Sequence, residues 1–161
     1  MMDNLQEKTV SFFRFEDLRI YAKATDYSAW VIANVGTPAN ETQQNLIDSF
    51  CHSSYDIALN IAEGSSRNKS QFEHYLKISK TAIRECVVFT EIASKTGMLS
   101  ETDYETSRNS LMELTRMIGA LIISLQHPGG RRHKDDETSS DEGNSEVSNN
   151  EIDDFDIDTN F

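Results

Sequence analysis

Glutamate and histidine are the residues of this sequence best suited to chemistry, because pairs of them on facing helices can hold a di-iron centre. Such centres use glutamates together with a Glu-x-x-His spacing, in which a histidine follows a glutamate by three residues. The four histidines never meet this spacing, and serine, leucine, valine, serine and arginine occupy the required places after Glu63, Glu73, Glu85, Glu91 and Glu113. We therefore expect no metal and no cofactor.

The other familiar catalytic signatures are also absent from the sequence. It contains no GxxxxGK[ST] phosphate loop, no GxSxG and no HExxH. Cys51 and Cys86 lie within helical patterns and lack CxxC or Cys/His spacing, which is typical of small buried hydrophobic residues. We expect no catalytic residues and no small-molecule substrate, and we do not expect an enzyme.

Residues 57–64, with the sequence IALNIAEG, form an apolar helical segment that carries Asn60 and Glu63 and reaches Gly64. A carboxylate near a helix C-terminus opposes the helix dipole, so Glu63 needs a partner or a task. One interpretation is structural, with Asn60 facing a neighbouring backbone and Glu63 paired with Arg67 or Arg84. The other is a recognition surface between subunits or for a ligand.

Basic residues provide the second candidate site. Lys77, Lys80 and Arg84 are spaced by three and four residues on one predicted helix, and Arg67 and Lys69 precede it. Such a stripe can contact phosphates, although an ordinary solvated helix face has the same pattern. No lysine or arginine occurs from residue 24 to residue 66, so any nucleic-acid footprint is expected to be local.

The negative charge of the chain is concentrated at its C-terminus. The net charge is −12, and residues 131–161 contain 3 Lys/Arg and 11 Asp/Glu, which leaves −4 for the preceding residues. We predict a disordered acidic tail over residues 128–161 and a flexible N-terminus over residues 1–14. Residues 152–158, IDDFDID, combine acids with large apolar side chains, and this composition either docks a partner or only solubilises the chain.

Residues 15–127 are predicted to form four helices. The first is expected over residues 16–35, with Gly36 as its C′ residue. Its apolar face is expected to contain Leu18, Tyr21, Ala22, Thr25, Ala29, Ile32 and Ala33. The second is expected over residues 38–63, capped by Thr37 and ended by Gly64. Spacings of three and four predict one buried face on each later helix, which includes Phe50, Ile57 and Ile61 on the second, Leu76, Ile83 and Cys86 on the third, and Leu111, Leu114 and Ile118 on the fourth. Capping boxes predict that the third begins at Ser70 and the fourth at Ser100, with Gly97 closing the third and residues 128–130, PGG, stopping the fourth.

No segment alternates with a period of two, so we predict an all-α protein. Long helices joined by short loops favour an up-down-up-down antiparallel four-helix bundle. No apolar run reaches 18 residues and no signal-peptide pattern opens the chain, so we expect a cytoplasmic protein without membrane association.

The segment from Asn60 to Gly64, with the Arg67 that follows and Glu85 on the third helix, resembles a known family. These features are similar to the four-helix bundle proteins encoded in 23S rRNA intervening sequences and to the accessory proteins of diversity-generating retroelements. The resemblance covers about residues 15–126, and residues 15–18, FEDL, are similar to the opening helix of the family. It implies that Asn60, Glu63, Gly64 and Glu85 are structural motif residues.

The resemblance also implies a homo-oligomer, typically a barrel-like pentamer, without established catalytic residues. Retroelement members bind nucleic acid through basic outer faces and associate with a reverse transcriptase. This sequence departs from the pattern where the family usually has two arginines, since Cys51 and His52 stand there, and Asp56 begins the segment that usually reads Ser-Ile-Pro. The changes remove expected phosphate contacts from the second helix.

Two functional hypotheses follow. The first is a non-enzymatic oligomeric scaffold that associates with RNA or DNA, or with a nucleic-acid enzyme such as a reverse transcriptase, through Arg67, Lys69, Lys77, Lys80 and Arg84. The second is a protein-only adaptor whose acidic, hydrophobic tail binds a protein partner.

Overall fold

The computed structural model describes residues 12–127, and this stretch contains helices and no strand. The four α-helices are α1 (Arg19–Asn34), α2 (Glu41–Ser65), α3 (Lys69–Lys95) and α4 (Glu101–Gln126). A 3₁₀ turn at Arg14–Asp17 precedes α1. The all-α prediction is confirmed, while the predictions for residues 1–11 and for the acidic tail lie outside the described residues.

Hydrogen bonds between side chains and neighbouring helices establish the antiparallel order. The Ser28 hydroxyl of α1 donates to the Ser54 carbonyl of α2 at 2.8 Å, and the Ser53 hydroxyl of α2 donates to the Glu85 carboxylate of α3 at 2.7 Å. At the end of the bundle where α4 finishes, the Gln126 amide donates to the Glu73 carboxylate of α3 at 2.9 Å. Together with the packing of α1 against α4, these contacts confirm the up-down-up-down bundle.

Two of the predicted helix starts are wrong. Helix α2 is capped by Asn40, whose side chain accepts from the Gln43 amide at 2.9 Å, instead of by Thr37. Helix α3 is capped by Asn68, whose side chain accepts from the Gln71 amide at 3.0 Å, two residues before the predicted Ser70 box. Asparagine caps a helix as well as serine does, so the sequence offers two competing caps at each start.

The predicted cap of α4 is confirmed, since the Ser100 hydroxyl accepts from the Asp103 amide at 3.1 Å. Gly97 also closes α3 as predicted, with a φ of 73°. The Met98 and Gly97 amides donate to the carbonyls of Ala93 and Ser94 at 2.8 and 3.1 Å, which is the Schellman arrangement.

Gly36 follows the end of α1, but it does not adopt the left-handed conformation. Its amide donates to the Met98 carbonyl at 3.0 Å, and a Cβ at this position would lie 3.1 Å from the same oxygen. Gly36 therefore allows a close approach of two connecting segments, which differs from the predicted C′ role.

The predicted apolar face of α1 is largely wrong. The buried side chains of this helix are Ile20, Ala24, Tyr27, Ser28 and Val31. The predicted face contains the exposed residues Ala22, Ala29, Ile32 and Ala33, while its members Leu18 and Tyr21 pack against the core. Helix α1 has two apolar stripes, and its packing against the neighbouring helices decides which of them is buried.

The core is mainly apolar, and it includes a cluster of three buried hydroxyl groups. The largest fully buried side chains include Phe50, Ile57, Ile61, Leu76, Leu111 and Ile118, which lie on the faces predicted for α2, α3 and α4. Within this core the Ser107 hydroxyl of α4 contacts the Tyr27 hydroxyl of α1 at 2.9 Å and the Thr90 hydroxyl of α3 at 2.7 Å. These bonds connect three helices at one level of the bundle.

Candidate nucleic-acid interface

Gly64 is buried within α2 and does not end the helix, which corrects the sequence prediction. A Cβ at this position would lie 2.7 Å from the Tyr75 Cβ and 2.8 Å from the Phe72 Cδ2 of α3. These separations are shorter than van der Waals contact. The glycine of the motif therefore permits the close packing of α2 against α3.

The other motif residues make local and inter-helix contacts. The Asn60 amide donates to the Asp56 carbonyl of its own helix at 2.7 Å. The Glu85 carboxylate accepts the bond from Ser53 and so joins α3 to α2. The structural interpretation proposed that Asn60 faces the backbone of a neighbouring element. Its hydrogen bond is instead to a carbonyl of its own helix.

Glu63 pairs with Arg67, one of the two partners that the sequence suggested. The Arg67 Nε donates to the Glu63 carboxylate at 2.9 Å, and both side chains are about half exposed, at 47% and 46%. This hydrogen bond and the charge of Glu63 raise the pKa of Arg67. The pairing offsets the opposition between Glu63 and the helix dipole, and it balances the charge of Arg67.

The basic residues of α3 share one face. Lys69, Lys77, Lys80 and Arg84 are separated by eight, three and four residues, which places them along one side of a helix with 3.6 residues per turn. Glu73 lies on the same side and pairs with Lys77 at 3.0 Å. The hydrogen bonds from Lys77 and Gln126 lower the pKa of Glu73.

Two hydrogen bonds connect this side of α3 to α4. One is the bond from Gln126 to Glu73, and the other runs from the Tyr104 hydroxyl to the Glu91 carboxylate at 3.0 Å. The bonds from Lys95 and Tyr104 lower the pKa of Glu91, and the same carboxylate raises the pKa of Tyr104. Lys80 and Arg84 lie along α3 between these two connections.

Arg108 and Arg116 of α4 extend the basic surface, and the sequence analysis did not include them. The Arg108 guanidinium lies 5.8 Å from the centre of the Tyr104 ring, next to the α3 connection. Arg116 follows about two helical turns later, is exposed, and makes no ion pair within residues 12–127. We call the surface formed by α3 and α4 the basic face; its cations are Lys69, Lys77, Lys80, Arg84, Arg108 and Arg116.

Glu113 precedes Arg116 by three residues, a spacing that predicts an ion pair between them on the same helix. In the structure Glu113 pairs across the bundle with Lys23 at 3.1 Å and with Arg19 at 3.8 Å, both from the start of α1. Glu113 therefore lies on the side of α4 that faces α1, while Arg116 lies on the exposed outer side of the helix.

The side chains that could bind a metal ion or act as a nucleophile are those of His, Cys, Asp and Glu. Residues 12–127 contain no cluster of three His, Cys, Asp or Glu side chains arranged to hold a metal ion. Burial raises the pKa of the Cys86 thiol, with the nearby carboxylates of Glu85 and Asp56 adding to the shift. A thiol with a raised pKa is a poor nucleophile at neutral pH.

The family profile of the 23S rRNA-intervening sequence proteins matches residues 16–120, from the 3₁₀ turn into the last third of α4. The chain belongs to the 23S rRNA-intervening sequence protein family. In this family member the matched segment contains the Asn60–Gly64 motif and all six cations of the basic face. No curated protein matches the chain significantly. None of the helices in the described part of this family member is long and apolar enough to cross a membrane.

Proposed function

We propose that this chain is a non-enzymatic cytoplasmic accessory protein that binds nucleic acid, alone or together with a nucleic-acid enzyme such as a reverse transcriptase. The observation that carries the proposal is the basic face of α3 and α4. Lys77 and Arg84 are seven residues apart, or about 10 Å along the helix axis. Duplex DNA presents one phosphate charge per ~1.7 Å of its axis, so a face of this length meets several phosphates.

The charge pattern favours recognition on one side of the bundle only. Helix α2 contains no lysine or arginine, while α3 and α4 supply all six cations of the basic face. Arg67 contributes less than the sequence suggested, because Glu63 already balances its charge. Lys77 is similarly paired with Glu73, whereas the exposed Arg116 makes no ion pair within residues 12–127, so Arg116 is a strong candidate for a phosphate contact.

RNA binding over a salt series tests the proposal. Counterion release predicts a log–log slope of about −0.9 per phosphate neutralised on duplex DNA, and a somewhat shallower slope for single strands. The double variant Arg84→Gln, Arg116→Gln should bind a structured RNA more weakly, with a slope less steep by roughly 1.4 to 1.8. Arg19→Gln, an exposed cation at the start of α1, is the matched control and should leave the slope unchanged.

The absence of RNA binding by the wild-type chain at about 50 mM salt contradicts the proposal, because electrostatic binding is strongest at low salt. In that event a pull-down with and without residues 131–161 tests the protein-only adaptor, which loses its partner on truncation. A reverse transcriptase gene beside the gene for this chain would support the retroelement role specifically.

We also propose that the protein functions as a homo-oligomer that assembles through the outer face of α1 and α2. Ile32 and Leu59 are 59% and 61% exposed. The exposed residues Ala29 and Ala33 lie beside Ile32 on α1 and have small uncharged side chains. Exposed apolar patches are typical of protein interfaces. The family resemblance favours a pentamer.

The solution mass tests the oligomer. Light scattering on the eluting protein should give about five times the 18.2 kDa of one chain. Ile32→Glu should lower the mass by placing a charge in the interface, whereas Met112→Glu, on α4, should not. A wild-type chain that elutes as a monomer at micromolar concentration contradicts this part of the proposal.

A further inference from the structure

A cleft of about 220 Å³ opens between α1 and α4, on a side of the bundle that the basic face does not use. Lys23, Asp26, Tyr27 and Trp30 of α1 line it, with Ser110, Glu113 and Leu114 of α4 on the opposite wall. Ligand pockets for drug-sized molecules usually measure about 300–1,000 Å³. This cleft is therefore suited to a single side chain or a similarly small group.

The wall of the cleft is aromatic. The rings of Tyr27 and Trp30 are stacked, with centroids 6.0 Å apart and planes inclined by 16°. Tyr27 is almost completely buried, and its hydroxyl is hydrogen-bonded to Ser107. The half-buried Trp30 is therefore the ring that is accessible from the cleft. An indole face attracts cations more strongly than the other aromatic side chains do.

The carboxylates of the cleft are not equivalent. Glu113 is neutralised by Lys23 at 3.1 Å and by Arg19 at 3.8 Å. The Asp26 carboxylate makes no hydrogen bond and no ion pair within the described stretch. The cleft thus combines an indole face with one carboxylate whose charge is not balanced by a neighbour.

We propose that this cleft is a docking site for an arginine side chain of a basic protein partner. The guanidinium stacks on Trp30 and pairs with Asp26, while the aliphatic arm contacts Leu114. Arginine fits better than lysine because its planar group stacks on an aromatic ring and still donates hydrogen bonds in its plane. The site is separate from the basic face, since it lies between α1 and α4 and includes none of the six cations of that face.

Fluorescence provides a direct assay, because Trp30 is the only tryptophan of the chain. The probe is the peptide acetyl-Gly-Arg-Gly-amide, titrated into the full-length protein at low salt. We expect a saturable change in emission with a Kd of about 1 mM, as befits one side chain in an open cleft. The same peptide with citrulline in place of arginine keeps the shape but lacks the charge, and it should cause no saturable change.

Two matched variants complete the experiment. Asp26→Asn should weaken arginine binding by about two- to fivefold, the range expected for an exposed ion pair. Asp48→Asn, an equally exposed aspartate on α2, should leave it unchanged, and circular dichroism confirms that both variants fold. An equal response to arginine and citrulline, a response that never saturates, or an unchanged affinity in Asp26→Asn would each overturn the proposal.

Discussion

Gly64 of α2 lies so close to Tyr75 of α3 that a Cβ at position 64 would stand 2.7 Å from the Tyr75 Cβ. The Phe72 ring limits the same space, at 2.8 Å from its Cδ2. Both atoms belong to side chains anchored on α3 near its start, and the Cβ of Tyr75 moves only with the helix backbone. The two helices can therefore approach this closely only with glycine at position 64.

We expect Gly64→Ala to lower the free energy of unfolding by about 1–3 kcal/mol, the usual effect of overpacking a well-packed contact. This loss should be seen even though alanine favours a helix over glycine by roughly 1 kcal/mol. Urea denaturation followed by circular dichroism gives the measurement.

Gly119→Ala is the matched control, because Gly119 lies within α4 and a Cβ there meets no atom within 4 Å. Alanine favours a helix more than glycine does, so Gly119→Ala should raise the free energy of unfolding by up to about 1 kcal/mol. If both alanine variants stabilise the protein equally, α2 and α3 are not held at the separation described above.

The buried hydroxyls of Tyr27, Ser107 and Thr90 should be energetically coupled. Tyr27→Phe and Ser107→Ala should each lower the free energy of unfolding by about 1–3 kcal/mol, because each leaves a buried partner without one of its hydrogen bonds. The double variant should lower it by less than the sum of the two single losses, since both variants remove the same hydrogen bond. Strict additivity in urea denaturation would contradict the coupling, and Thr106→Ala, at an exposed position of α4, should have little effect.

Stability should decrease in alkaline solution. Burial is the main cause that raises the pKa values of Tyr27 and Cys86 above their ordinary values of 10.0 and 9.0. A group whose pKa is raised on folding stabilises the protein below its unfolded pKa, and this stability is lost as the pH rises further. The loss should begin near pH 9 for Cys86 and near pH 10 for Tyr27, by up to about 1.4 kcal/mol per pH unit for each group.

Urea midpoints between pH 7 and pH 11 measure this loss. Comparison with Tyr27→Phe isolates the tyrosine, because all other titrating groups are shared by the two proteins. The variant should show a shallower decline above pH 10. Parallel curves for the wild type and Tyr27→Phe in that range would show that Tyr27 ionises as readily in the folded chain as in the unfolded one.

Deletion of residues 131–161 should strengthen the binding of RNA. The segment carries 3 Lys/Arg and 11 Asp/Glu, so its removal changes the net charge from −12 to −4. A less negative protein repels RNA less, so its affinity for RNA at low salt should increase by roughly tenfold or less. This increase should become smaller as salt is added, because salt screens the charges. Affinity at 50 and 200 mM salt tests this.

A chain of full length with the tail acids replaced by Asn and Gln serves as the control for that deletion. It should bind RNA as tightly as the truncated protein if charge is the cause. Weaker binding after truncation would show instead that residues 131–161 contribute to the complex.

Local sequence patterns were sufficient for most of the fold. The spacing of apolar residues in α2, α3 and α4 identified the buried faces around Phe50, Leu76 and Leu111, because each of these helices has one clear apolar stripe. Ser100 and Gly97 were recognised as helix boundaries, since capping and left-handed closure depend on a few adjacent residues. The helix order and short connections then left an antiparallel bundle as the natural arrangement.

The candidate site was only partly predictable. The stripe of Lys77, Lys80 and Arg84 follows from spacing along one helix, and the structure keeps it on one face. Arg108 and Arg116 could be assigned to the same surface only after the packing of α4 against α3 was known. The pairing of Arg67 with Glu63 reduced the importance of a residue that the sequence had placed in the site.

The sequence by itself determined the number of helices, their approximate limits and the concentration of acid at the C-terminus, because these depend on composition and on neighbours along the chain. Only the tertiary structure decided which of the two stripes of α1 is buried, what Gly64 does and which carboxylate neutralises which cation. A second helix supplies the energy for the burial of α1, for the exclusion of a Cβ at position 64 and for the pairing of Glu113 with Lys23, which is 90 residues away in sequence; the i,i+4 ion pairs such as Glu73 with Lys77 need only one helix.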